Sequence, residues 1–189
     1  MARKPAVELG QILDHKFIVF DTNIFVKALK HFETFAELLR SLKEFHCQAI
    51  YFPLIEFEFT RDAFIPEHKI EREEFLKRIG ATRLSIRDDL IDSALEIAKI
   101  YSYSKIPSRQ ISLVDCCIAA YLKQFREQLF LLTLNHADFP QLLFDRIDVF
   151  ALSAGDEVLA PAIYQFSINK WMGVQNKYNK VTNKSYSSR

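Results

Sequence analysis

Phe17-Ile18-Val19-Phe20 runs directly into Asp21-Thr22-Asn23. Four consecutive apolar residues, all β-branched or aromatic and without polar alternation, describe a strand covered on both faces, the pattern of a parallel sheet. The aspartate falls at the C-terminal end of that strand, the edge where open α/β sheets bind ligands. A carboxylate at such a place has two readings. It closes the strand as an Asx-turn or helix N-cap, or it holds a hard cation such as Mg²⁺.

The rest of the chain repeats the strand-then-helix pattern. Helical periodicity runs over Ile24 to Phe45, through Leu29, Phe32, Phe35, Leu38, Leu39 and Leu42. Gln48 to Phe52 is a second strand, and Pro53 opens a helix in the favoured first turn, from Leu54 to about Phe64. Pro66 interrupts, Glu67 to Arg78 reads as a charged helix stopped by Gly80, and Thr82 to Ile86 as a short strand. Asp88 to Tyr103 is an amphipathic helix and Leu113 to Phe125 a further strong helix, separated by the polar loop Ser104 to Ser112. Strands are expected over Leu129 to Leu134 and, last, Ile147 to Leu152, then a helix over Val158 to Trp171. Strands alternating with helices of ten or more residues argue for a doubly wound parallel sheet. The expected organisation is a short leader over 1–16, one α/β domain over 17–155, and a C-terminal helix with a basic, partly disordered tail over 156–189. From Lys170 to Arg189 that tail carries four lysines and one arginine with no acid.

Composition removes several function classes. The four glycines, Gly10, Gly80, Gly155 and Gly173, are too far apart to cradle a phosphate, which excludes P-loop and dinucleotide fingerprints. Cys47, Cys116 and Cys117 form neither a disulfide framework nor a zinc spacing, which suits a reducing, cytoplasmic setting. No apolar run reaches the roughly 18 residues that span a bilayer, so no membrane association is expected. A net charge of +1 gives no global attraction to nucleic acid, so any such binding needs a local patch. Most of the phenylalanines are expected in the core.

Four acids recur at strand-to-helix junctions, all of which open on one edge of a parallel sheet. Asp21 ends the first strand. Glu58 lies a turn and a half into the helix after the second. Asp115 lies in the first turn of Leu113 to Phe125, and Asp138 follows Leu129 to Leu134 in Thr133-Leu134-Asn135-His136-Ala137-Asp138-Phe139. Each also has a plain structural reading: Ser112-Leu113-Val114-Asp115 matches a capping box, Asp138 suits a turn before Pro140, and Glu58 suits a solvated helix face. Two carboxylates about 4 Å apart repel by about 4 kcal/mol at an effective dielectric near 20. Four gathered acids therefore demand a divalent cation or raised pKa values.

These residues resemble the PIN-domain nucleases: Asp21-Thr22-Asn23 after an apolar strand, an acid in the next helix, Ser112-x-x-Asp115 with Ala119-Ala120, and Thr133-x-Asn135-x-x-Asp138-Phe139. The last motif resembles the VapC-type toxins most. The resemblance spans about Phe17 to Leu152. It implies a three-layer α/β/α sandwich with a central parallel β-sheet and a Mg²⁺- or Mn²⁺-dependent ribonuclease cleaving single-stranded RNA. Asp21, Glu58, Asp115 and Asp138 would form its acidic metal-binding quartet, with Asp21 and Asp115 the foremost ligands. Asn23 and Thr133 would be polar supports, and Asn135 would stand at the rim. Glu56 competes with Glu58 for the helical acid; the two face about 200° apart, and the spacing from Pro53 favours Glu58. The segment Glu67 to Arg78 and the tail exceed the compact toxin form.

The resemblance also implies an antitoxin protein and a homodimer as partners. His136 is a candidate base beside Asp138. Lys27, Lys30, Arg61, Lys105, Arg109 and the basic tail are candidates for strand capture. Two other acid-based enzymes fit less well. A haloacid-dehalogenase-type phosphatase needs an aspartate where Asn23 stands, and a receiver domain needs its phosphoacceptor on a later, central strand. An RNA- or protein-binding module with a weak or inactive site is the alternative reading.

Overall fold

The computed structural model describes residues 6–104 and 111–187. In chain order the first half comprises α1 (Ala6–Leu13), β1 (Phe17–Phe20), α2 (Thr22–Lys30), α3 (Phe32–Glu44), β2 (Gln48–Tyr51), α4 (Pro53–Thr60), α5 (Pro66–Arg78) and β3 (Thr82–Arg83). The second comprises α6 (Asp88–Tyr103), α7 (Leu113–Phe125), β4 (Leu129–Thr133), β5 (Phe144–Val149), β6 (Leu152–Ala154), β7 (Glu157–Leu159), β8 (Ala162–Phe166) and α8 (Ile168–Ser187).

Six strands form one mixed sheet in the order β3-β2-β1-β4-β8-β5. The first four are mutually parallel, as expected from their apolar runs and helical crossovers. β8 runs antiparallel to both neighbours, so it alone opposes the others and the sheet is not fully parallel. Helices pack in two groups, α2 with α3, α4 and α5, and α6 with α7 and α8. That grouping is compatible with an α/β/α arrangement. β4 lies mid-sheet, and all five of its residues are buried.

The chain from β1 to β4 follows the sequence pattern closely. α6 and α7 occupy the expected residues, and α5 begins at Pro66 and gives way to Gly80 in the left-handed region (φ +69) that glycine tolerates. The helix expected over Ile24 to Phe45 is two helices broken at His31, and that expected over Leu54 to Phe64 ends at Thr60. Most phenylalanines are buried; Phe20, Phe25, Phe59 and Phe75 form one continuous run of neighbouring rings.

Four differences concern the ends. Within the expected leader, residues 6–13 form a helix whose Leu9 and Leu13 enter the core. Val158 to Trp171 is not a helix: β7, Pro161 and β8 precede α8. Ala162-Ile163-Tyr164-Gln165-Phe166 is a buried run, and periodicity cannot separate such a run from a buried helical stretch. The strand expected over Ile147 to Leu152 is shifted to Phe144–Val149, with a register irregularity between Arg146 and Asp148. The expected disordered tail is helical to Ser187. Trp171 and Val174 anchor α8, and Lys170 pairs with Asp145 at 2.7 Å. Among the described residues no helix is long and apolar enough to cross a membrane.

Candidate acidic site at the C-terminal edge of the sheet

The site is built around the parallel pairing of β1 with β4. Phe20 stands opposite Leu132, and the Asp21 N–H continues the ladder to the Leu132 carbonyl at 3.1 Å. Asp21 and Thr133 thereby emerge side by side at the same edge. Thr133 Oγ1 donates to Asp21 Oδ2 at 2.6 Å, and Asn23 Nδ2 donates to the same oxygen at 2.5 Å. Asn23 is fixed in turn, because its Oδ1 accepts from the Leu134 N–H at 3.0 Å. The Asn135 N–H donates back to Thr133 Oγ1 at 2.9 Å. Asp21 occupies the N-cap position of α2 in extended conformation, yet its side chain makes no capping hydrogen bond. The cap reading therefore does not account for it.

Asp115 is different. Its backbone N–H donates to Ser112 Oγ, and its carboxylate accepts from the Ser112 hydroxyl and backbone, a complete capping box. It also faces the other acids. Burial pushes its carboxyl from the ordinary aspartate value of 3.8 to about 7, and the charges of Asp21 and Asp138 add to the rise. Burial likewise pushes Asp21, 5% exposed, up to about 6; Glu58 adds to it, while hydrogen bonds from Thr133, the Thr22 backbone and Asn23 oppose it.

Glu58 projects from α4 toward the start of α2, where Thr22 Oγ1 donates to its Oε2 at 2.7 Å. Glu56 turns the other way, to Arg83 on β3 at 2.6 Å. Of the two helical acids, Glu58 is the one whose charge Asp21 feels. Asp138 accepts from Asn135 Nδ2, and its backbone carbonyl accepts from the buried Tyr101 hydroxyl at 2.7 Å. Sequence reasoning missed Tyr101. It reads only as part of the apolar stripe of α6, and a buried hydroxyl needing a partner was the sole available signal.

The four acids thus share one edge and one electrostatic field. Among the described residues none of the four forms an ion pair, although Asp21 is buried and Asp115 partly so. Within those same residues, the group whose ligand atoms all meet within 4.8 Å is Asp14, His15 and His46, and no three of the four acids do so. The donor set is all oxygen, with Asp21 buried and the other three acids partly so, and short of positive charge. It fits a hard cation that keeps several of its own waters, as Mg²⁺ does, better than a closed protein cage.

The remaining candidates scatter. His136 Nδ1 lies 2.9 Å from the Tyr164 hydroxyl. Lys27 is paired with Glu157 at 2.6 Å, Arg61 approaches Asp62, and Lys30 is exposed on α2. Lys105 and Arg109 lie outside the described residues. The chain finds no match among protein-family models, curated proteins or solved structures. Its own chemistry must therefore carry the interpretation of the site.

Thr133→Val tests the support of Asp21 directly. Valine keeps the volume but removes a donor to a buried carboxylate and an acceptor for two N–H groups. A loss of about 1–3 kcal/mol is expected in urea unfolding. Any divalent-dependent activity should fall about 10- to 100-fold, as for lost outer-shell partners. Unchanged values for both would separate Thr133 from the site.

Proposed function

We propose that the chain is a divalent-metal-dependent endoribonuclease of PIN-like fold, acting on phosphodiester bonds of single-stranded RNA. The observation that carries this reading is Asp21: a buried carboxylate at a parallel strand end, clamped by Thr133 and Asn23, spent on no cap, coupled to Glu58 and Asp115, and with no Lys or Arg paired to it among the described residues. Asp21 and Asp115 would hold Mg²⁺ or Mn²⁺, with Glu58 and Asp138 completing the set through water. When bound, the cation supplies Lewis-acid polarisation and charge neutralisation at the phosphoryl group.

The chain's own groups do the rest. Burial disfavours the charge on Asp21 and Asp115, so both keep their protons until pH nears neutral. Thr133 and Asn23 keep the Asp21 carboxylate in one rotamer, so no reorganisation is needed as charge develops. Glu58, tethered by Thr22, and Asp138, tethered by Asn135, accept hydrogen bonds from water and orient it toward phosphorus.

A second reading has its own support: Asp115 is fully engaged as a capping box, and no three acids converge within 4.8 Å. That favours an RNA- or protein-binding module with a weak or inactive site. One experiment separates the two. Purified protein is incubated with single-stranded RNA in Mn²⁺ and in EDTA, with calorimetry of Mn²⁺ alongside. Cleavage in Mn²⁺ that EDTA removes supports the nuclease. RNA binding indifferent to Mn²⁺, with no calorimetric signal, supports the module.

Glu58→Gln and Glu56→Gln sharpen the assignment. Glu58→Gln should lower cleavage by roughly 100-fold or more, since a ligand or water-orienting carboxylate is lost. Glu56→Gln removes a half-exposed pair with Arg83 and should leave both the rate and the stability essentially unchanged. The reverse ranking would move the site to the other face of α4.

A further inference from the structure

We propose that Asp14, His15 and His46 form a second, separate cation site, for a first-row transition-metal dication such as Zn²⁺, at the opposite edge of the sheet from the acids. One ligand atom from each of the three lies within 4.8 Å of the others. Asp14 Oδ1 is the shared point, 3.1 Å from His46 Nδ1 and 3.8 Å from His15 Nε2. The two imidazoles stack, with centroids 4.7 Å apart and planes at 10°.

The backbone puts them there. His15 sits between α1 and β1, and His46 between α3 and β2, in two equivalent helix-to-strand turns. Both adopt the left-handed region, at φ 55 and φ 54. The turns are bonded to each other: the His15 N–H donates to the Phe45 carbonyl at 3.1 Å and the Gln48 N–H to the Lys16 carbonyl at 2.9 Å. The Cys47 thiol adds a bond to the Leu13 carbonyl at 3.1 Å. Glycine or asparagine serves a left-handed turn position best. Histidine is also enriched at such positions, so the backbone admits both rings; what the paired turns add is one carboxylate, Asp14, within reach of both.

The ligand chemistry selects the ion. Two neutral imidazoles and a carboxylate suit Zn²⁺ and its neighbours, and leave a fourth position to water. The all-oxygen acidic site selects hard cations instead. The rings are parallel, so both must turn about Cβ–Cγ to aim their nitrogens at one ion. That torsion is broad for histidine, and the two side chains are 75% and 64% exposed. A bound ion would tie the end of α1 to the start of β2. Asp21 lies six positions after His15, roughly 20 Å of extended chain, so the two sites do not share ligands.

Calorimetric titration of Zn²⁺ into the full chain tests this, with Asp21→Asn and the double variant His15→Asn/His46→Asn beside it. Asparagine tolerates the left-handed backbone, and circular dichroism checks that each variant is folded. The expected result is a Zn²⁺ equivalent whose affinity is unchanged in Asp21→Asn and at least about tenfold weaker in the double variant. In the unmodified chain, Zn²⁺ should also shift the ring-nitrogen NMR signals of His15 and His46. Absence of Zn²⁺ binding, unchanged affinity in the double variant, or unmoved ring signals would each overturn the proposal. None of these results bears on the acidic site, where the probe is Mn²⁺.

Discussion

Asp21→Asn is expected to reduce divalent-dependent RNA cleavage by roughly a thousandfold or more, while the chain stays folded. The side chain keeps its size, and its amide oxygen can take the place of Oδ2, accepting from Thr133 and Asn23. What disappears is the negative charge at the centre of the cluster. Glu58 no longer faces a like charge, and one of the groups raising Asp115 is gone, so the Asp115 pKa should fall from about 7. Single-turnover cleavage in Mn²⁺ measures the loss, and far-ultraviolet circular dichroism checks the fold. Cleavage within tenfold of the unmodified chain would remove Asp21 from the chemistry. Unfolding would mean that its role is structural.

The sequence made the parallel half of the sheet readable because its signals are local. Phe17 to Phe20 and Leu129 to Leu132 are short unbroken apolar runs set between helical segments, the pattern of a strand covered on both faces. The Leu113 to Phe125 helix announces itself through Ser112 and Asp115, whose reciprocal bonds are made within four residues. β8 gave no such signal. It completes the sheet by pairing antiparallel with strands that lie before it in sequence, and its five residues fit a buried helix as well as a strand. The tail misled for a related reason. Its lysines suggested disorder, but Trp171 and Val174 supply an apolar anchor that composition hides.

The site divides along the same line. Placing four acids at one edge needed only the rule that parallel strand ends point together. Deciding what each does needed contacts across more than a hundred residues. Asp21 and Asp115 look alike in sequence, each just before or within a helix's first turn. Only the β1–β4 register brings Thr133 to Asp21 and frees that carboxylate from capping, whereas Ser112 keeps Asp115 in its box. Glu56 and Glu58 were separable by helical phase, but Arg83, which claims Glu56, reaches it from β3.

In the absence of divalent cations, the chain should lose stability as pH rises from about 4 to about 7, in the opposite sense to a salt-bridged aspartate. Asp21 and Asp115 have folded pKa values of about 6 and about 7, both above the ordinary 3.8. Between those limits the folded chain holds protons that the unfolded chain has lost, so the slope of unfolding free energy against pH is negative. The stabilising protonation is fully present below pH 4 and is gone once pH passes about 7. At about 1.4 kcal/mol per unit, Asp21 alone accounts for on the order of 3 kcal/mol. Other groups titrate in the same range, so the measurable quantity is the difference between the unmodified chain and Asp21→Asn. Urea unfolding in EDTA should show the variant gaining relative stability between pH 4.5 and pH 8. Mn²⁺ should restore the unmodified chain at pH 8, where the carboxylates are open to it, and do little at pH 4.5, where protons compete. A stability difference that stays flat with pH, or a Mn²⁺ effect equal at both pH values, would mean that these carboxylates are neither buried against one another nor joined to a cation.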